Sequence, residues 1–281
     1  MDTHTITTKD GFDLTATQFT PETPNNQVIL ISAASGVRQH YYFNFAIFLS
    51  EHGFTVYTYD YRGIGLSLDR SVRKTHATYQ IWATQDYEAM VDYIAQQHPG
   101  KSYALVGHSF GGNGAGMTLA TNKFNKIVTV AAALTYWRYA ARHKQWLILL
   151  NAYVFAPVTS WVLGYFPAKA KGLGENLPYG VAQQWRRGLT DPDSIVAIAH
   201  PEHNHYSEIT TKMLMISIED DWISTAAGVD ALAAHYQNAE VERRHIRLEE
   251  TRHDKIGHID FFRKRFADDL WQIPLAWLTQ A

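Results

Sequence analysis

The chain has 281 residues, of which 46% are hydrophobic and 19% charged, with a formal net charge of −2 and no cysteine. Such a chain can bury a large core, which argues against disorder and fits one α/β domain carrying an insertion, or two ordinary domains. The near-neutral charge gives no footing for nucleic acid, and the absence of cysteine excludes disulfides, a thiolate nucleophile and cysteine-based metal sites. The first residues, Met1-Asp2-Thr3-His4-Thr5, have neither the basic start nor the apolar run of a secretory signal, so a cytoplasmic location is expected.

In chain order, Thr5–Thr8 and Leu14–Phe19 read as strands around a Lys9-Asp10-Gly11 turn. Val28–Ser32 is continuously apolar, as a buried parallel strand is. His40–Glu51 reads as a helix stopped by Gly53, Thr55–Asp60 as a strand, and Tyr79–Gln97 as a helix with apolar positions at helical spacing. Tyr103–Val106 is a strand, with a helix expected from Phe110 to Asn122 and a strand at Lys126–Ala131. Regular alternation then stops. It resumes with Met213–Ile218 (strand), Thr225–Tyr236 (helix), Val241–Leu248 (strand) and a last helix over Asp260–Leu278, with a bend possible at Pro274. The Trp-, Tyr- and Pro-rich stretch between the two regular parts reads as helical pieces. The expected division is an α/β core of residues 1–133 and 208–281, with a helical cap at 134–207.

Gly107-His108-Ser109-Phe110-Gly111 fits the G-x-S-x-G pattern, in which a sharp strand-to-helix turn thrusts a hydroxyl above a sheet. Flanking glycines remove Cβ atoms that would collide in such a turn. The spacing is not G-x-G-x-x-G, and no acidic residue closes the strand Lys126–Ala131, which argues against dinucleotide binding. A serine hydroxyl is a weak nucleophile, needing a histidine to take its proton and a carboxylate to fix the histidine tautomer. Asp220 and Asp221 directly follow the strand Met213–Ile218. The register of the turn into the next helix favours Asp221, leaving Asp220 a turn-stabilising or solvated role. His258, in Gly257-His258-Ile259-Asp260, is the expected base, with His253 the runner-up. For an oxyanion, the residue after the nucleophile, Phe110, supplies one backbone N–H. The loop Ala33-Ala34-Ser35-Gly36-Val37 supplies another, which counting back from the next helix places at Ser35, within one or two positions.

Trp146–Phe166 has no charged residue and is long enough to cross a bilayer. A single crossing there would separate Ser109 from Asp221 and His258, so the stretch is read as cap helices, able to line an acyl pocket or rest on a lipid surface.

With Asp60-Tyr61-Arg62-Gly63-Ile64-Gly65-Leu66-Ser67, the Ser109 turn, Asp221 and Gly257-His258 in place, the chain resembles the α/β-hydrolase superfamily. It looks like the esterase, lipase and monoacylglycerol-lipase-type branches, and its Gly257-to-Arg263 ending is similar to that of a poorly characterised bacterial subgroup of predicted hydrolases. The resemblance implies a mostly parallel central sheet with helices on both faces, a helical cap insertion and a Ser-Asp-His triad. In the family pattern Asp60 and Arg62 belong to a turn beside the site, with a structural role. Many members carry His-Gly where this chain has Ala33-Ala34.

Acyl transfer of this kind needs no cofactor and no metal, and a carboxylic ester is the default substrate. Thioester, amide or C–C cleavage by the same residues, and a non-catalytic ligand-binding role, remain alternatives. Aromatics of the cap, Tyr136, Trp137 and Trp161 among them, are expected to hold an apolar or aromatic acyl group, or else to form only the cap's own core. His200, Glu202, His203 and His205 offer metal-ligand types with no element evident to fix their geometry, so a solvated loop is the preferred reading.

Overall fold

The computed structural model describes residues 1–280. Eight strands form one sheet: β1 (Asp2–Thr7), β2 (Asp13–Phe19), β3 (Gln27–Ser32), β4 (Thr55–Tyr59), β5 (Ser102–His108), β6 (Lys126–Val130), β9 (Lys212–Ile218) and β10 (Val241–Ile246). Their spatial order is β1-β2-β4-β3-β5-β6-β9-β10. Two short strands, β7 (Tyr165–Phe166) and β8 (Leu177–Pro178), pair separately. Only β2 opposes its neighbours; every pair from β4 through β10 is parallel. The central strands β3 and β5 are buried over most of their length. This is why Val28–Ser32 and Tyr103–Val106 read as unbroken apolar runs rather than alternating ones.

The chain leaves β3 toward β4, then returns to lay β5 against the other edge of β3. That reversal opens a crevice beyond the carboxyl ends of β3 and β5, where α/β sheets bind ligands. Helices cover both faces. On one face, Phe45 and Phe48 of the helix Phe43–Glu51 meet the Trp271 ring at 5.1 and 5.2 Å, beside the C-terminal helix Gln272–Thr279.

Two expected helices are absent as continuous elements. After Ser109 the chain makes an α turn (Phe110–Asn113) and two 3-10 turns (Gly114–Met117, Leu119–Lys123), interrupted by extended Thr118. Glycine favours helix poorly, and its use here is for close approach. A Cβ on Gly112 would lie 2.8 Å from the Ala132 Cβ, and one on Gly116 would lie 2.2 Å from the ring of Tyr206. The stretch from Asp260 is likewise two 3-10 turns, split at extended Arg263, followed by Gln272–Thr279. Asp260 holds these turns by pairing with Arg263 at 2.6 Å and Arg265 at 3.0 Å. Pro274 sits in the helix's first turn, where its missing N–H forfeits no helical bond, and not at a bend.

Between β6 and β9 the chain makes a long crossover of helices and the β7–β8 hairpin. Its helix Arg142–Leu163 is long and apolar enough to cross a membrane. Yet β6 and β9, on either side of it in sequence, pair in register from Lys126↔Lys212 to Val130↔Ile216. A single crossing would part those two strands.

Asp60 and Arg62 take the structural places expected of them. Asp60 is buried and accepts the N–H groups of Gln39 (2.7 Å) and Leu66 (2.9 Å). The buried Arg62 guanidinium donates to Asp86 Oδ1 at 2.6 Å and to both oxygens of Asp10 at 2.6 and 2.9 Å, tying the β1–β2 turn to the helical residues 79–97. Removing one partner strands a buried charge, so Asp86→Ala should cost about 3 kcal/mol in urea unfolding. Asp10→Ala, at a more exposed position, should cost less; equal losses would mean that burial of the pair is not the cause.

Candidate active site

Ser109 directly follows β5, in a conformation open to few side chains, with φ 51° and ψ −114°. Its own N–H is held by Val130 O at 2.9 Å. The flanking glycines follow from contact distances. A Cβ on Gly107 would lie 2.5 Å from Gly112 Cα, and one on Gly111 would lie 2.0 Å from Ser32 O. The turn is wedged between β3 and the chain that follows, which keeps the strained serine in place.

Ser109, His258 and Asp221, expected from the sequence to act together, do meet. Ser109 Oγ lies 3.1 Å from His258 Nε2, and His258 Nδ1 lies 2.7 Å from Asp221 Oδ2. Asp221 is buried, and its other oxygen accepts the N–H groups of Ile223 (3.0 Å) and Ser224 (2.9 Å). Burial alone would raise its pKa; the facing His258 and these hydrogen bonds outweigh it and hold the carboxyl below its ordinary value. For His258 burial works downward, but the Asp221 carboxylate prevails and the net shift is upward. His253 lies elsewhere, paired with Asp269 at 2.8 Å.

Asp220, half-buried, takes the turn-stabilising role and makes no hydrogen bond to the ring. Its two oxygens accept the N–H groups of Ile256 (3.0 Å) and Gly257 (2.8 Å), the two residues before His258. Adjacent carboxylates thus hold the ring and the loop that carries it.

A second histidine went unnoticed in the sequence. His108 is wholly buried; its Nε2–H donates to the His258 carbonyl at 2.8 Å, and its Nδ1 accepts from the Tyr42 hydroxyl at 2.7 Å. The Tyr42 oxygen in turn accepts the Ala34 N–H at 2.9 Å. Burial, then the charge of His258, pushes the His108 pKa down to about 3, so this link stays neutral. The only sequence cue was its place in the Ser109 turn; nothing marked Tyr42 as its partner.

That chain also narrows the β3 loop. The Ala34 N–H is taken, whereas among the described residues neither the Ser35 nor the Phe110 N–H has a hydrogen-bond partner. Ser35 and Phe110 both line the same cavity as Ser109 and His258. Tyr79 braces them, with its hydroxyl 2.8 Å from Ser35 Oγ and its ring stacked on Phe110 at 4.3 Å.

The cavity measures about 730 Å³ and its wall is mainly apolar. Of the cap aromatics expected there, Phe166 and Trp185 line the wall, as does Trp222, whereas the three singled out as binding residues, Tyr136, Trp137 and Trp161, do not. Trp137 packs instead in a small cluster with Ala140, Ile148, Ala152 and Leu189, against which Tyr136 sets its ring, and Trp161 points outward with 81% exposure. Aromatic content marked the crossover but could not tell its inner from its outer side. His205 pairs with Glu208 at 2.8 Å, and among the described residues no three His, Asp or Glu side chains gather as a metal-binding set.

The sheet order, the reversed β2 and the position of the Ser109 turn define an α/β-hydrolase fold. Solved structures agree. An esterase of Pyrococcus furiosus superposes with a TM-score of 0.63 at 16% identity, over 99% of this chain and 90% of that one. A monoacylglycerol lipase of Paleococcus ferrophilus gives 0.61 at 16%, over 99% and 98%. An esterase of Exiguobacterium antarcticum gives 0.62 at 16%, over 98% and 99%. No curated protein sequence matches. The family model described as serine aminopeptidase, S33, matches residues 22–177, and the chain belongs to this family of α/β-hydrolase-fold serine hydrolases.

Proposed function

We propose that the protein hydrolyses carboxylic esters of apolar acids by two-step acyl transfer, with residues 134–207 acting as a cap over the acyl group. The observation that carries this reading is the continuous run Ser109 Oγ, His258 Nε2, His258 Nδ1, Asp221 Oδ2, whose serine and histidine line an apolar cavity. Ser109 Oγ attacks the ester carbon and its proton passes to His258 Nε2. The carbonyl oxygen becomes an oxyanion, received by the Phe110 and Ser35 N–H groups. Collapse of the tetrahedral intermediate breaks the C–O bond, and the alcohol leaves with the proton from His258. Water then attacks the acyl carbon as His258 takes its proton, the Ser109 Oγ–carbon bond breaks, the proton returns to Ser109 Oγ and the acid is released. Asp221 holds the histidine tautomer that leaves Nε2 free to accept. His108, through the His258 carbonyl, positions the base without touching substrate.

The family description raises an aminopeptide as a rival substrate. A free α-ammonium would need an unengaged carboxylate nearby. Among the described residues Glu175 is the one acidic side chain on the cavity wall, and it is already paired with Arg38 at 2.6 Å and Lys169 at 3.4 Å. The structural relatives named as esterases and a monoacylglycerol lipase favour the ester. In a direct comparison, p-nitrophenyl esters should be cleaved faster than aminoacyl p-nitroanilides, with acyl length setting KM. Faster cleavage of the anilides would overturn the ester assignment.

The pH profile tests the base. His258 must be neutral to accept the proton, and its pKa is raised. The ester kcat/KM should therefore rise with pH and level off only above the ordinary histidine value of about 6.5. Asp221, shifted down, stays ionised across this range, and His108 adds no second limb. An acid limb centred below about pH 6 would contradict the His258–Asp221 pairing as the cause of the shift.

A further inference from the structure

A helix that is apolar all round is ordinarily buried in protein or in lipid. After its basic first turn, Arg142–Leu163 carries no charge on any side, yet it is packed on one side only. Leu147, Ile148 and Asn151 line the cavity, whereas only 22% of its most apolar stretch is buried. Trp146, Leu150, Tyr153, Val158, Trp161 and Val162 stand exposed at helical spacing, forming a stripe along its outer face.

Along the chain, the charges flanking this stripe are basic up to Glu175, which pairs with Lys169 at 3.4 Å. No Asp or Glu occurs from residue 93 through 174, in a chain whose net charge is −2. Arg138, Arg142 and Lys144 stand at the start of the helix, and Lys169 and Lys171 follow its end. Lys171 Nζ lies 4.5 Å from the centre of the exposed Phe155 ring, which sets a cation beside the apolar face. Exposed Trp and Tyr beside Lys and Arg suit the boundary between lipid headgroups and acyl chains. A symmetric pairing of two copies through the same stripe would bring two basic collars together. An anionic lipid surface meets both features. Leu173, in the loop that follows Lys171, is both half exposed and part of the cavity wall, so the basic end of the helix adjoins the cavity.

We propose that the outer face of Arg142–Leu163 docks the protein on anionic lipid surfaces, with the cavity mouth facing the leaflet. The substrate class is then an amphipathic lipid ester drawn from that leaflet; this second part rests on the ester-hydrolase reading, and the docking does not.

The full chain should co-sediment with vesicles of phosphatidylcholine and phosphatidylglycerol, less with phosphatidylcholine alone, and less again at high salt. The double variant Val158→Glu, Val162→Glu alters two exposed side chains on the outer face. It should bind the anionic vesicles at least about tenfold more weakly. Its hydrolysis of a short water-soluble ester should be unchanged, which shows that it is folded and keeps the chemistry test separate. Equal binding by the two proteins, or no binding by the unaltered chain, would overturn the docking. Light scattering that shows an unaltered dimer and a monomeric double variant, without vesicle binding, would overturn it in favour of a self-association face.

Discussion

Ser109→Ala should lower kcat for ester hydrolysis by about 10⁶, with KM little changed, and should abolish labelling by a fluorophosphonate. The size of the effect follows from the role proposed for the side chain: as the atom that would bond to the acyl carbon, its Oγ has no neighbouring group to replace it. The N–H groups of Ser35 and Phe110 and the apolar wall would remain, so the variant should still bind substrate and retain a residual rate above that of water. Alanine must adopt the same φ of 51° as Ser109, and the turn is held by the tight packing at Gly107 and Gly111 rather than by the hydroxyl. The fold should therefore survive, and a circular dichroism melt would verify it. Labelling that persists in Ser109→Ala would move the nucleophile elsewhere.

Asp221→Asn should lower kcat by about 10⁴. The asparagine carbonyl can still accept from Ile223 and Ser224, which turns its amide NH2 toward His258 Nδ1. The ring must then accept at Nδ1 and carry its proton on Nε2, where it can no longer take one from Ser109. Asp220→Asn should act differently. It leaves the tautomer alone but sets an N–H donor against the N–H of Ile256 or Gly257, loosening the His258 loop. Its activity loss should be much smaller than that of Asp221→Asn, with a lowered melting temperature. The reverse ranking would exchange the roles of the two carboxylates.

The sheet was legible wherever burial left a mark on sequence. β3, β5, β6 and β9 read correctly because parallel strands buried on both faces leave continuous apolar runs. The meeting of Ser109, Asp221 and His258 was legible because each follows a strand on the same edge of the sheet. What failed depended on partners distant in the chain. Gly116 looked like part of a helix, but its lack of a Cβ serves the Tyr206 ring. A turn-stabilising role was legible for Asp220, but not which loop it holds, because its partners are backbone N–H groups at residues 256 and 257, which carry no side-chain signature. Trp137 and Trp161 look alike in sequence, and only packing separates the inner from the outer one.

The wedge at Gly107, Gly111 and Gly112 also bears on how such a protein can change over generations. With Gly112 Cα, Ser32 O and Ala132 Cβ at 2.5, 2.0 and 2.8 Å from where a methyl group on Gly107, Gly111 and Gly112 would sit, none of the three positions takes a side chain without a shift of its neighbours. Random drift is closed to them, and the strand ends they join are frozen together. The outer face of Arg142–Leu163 has no such neighbours. Substitution is therefore channelled toward the outer face of the crossover, while the strand ends that carry Ser109 stay fixed.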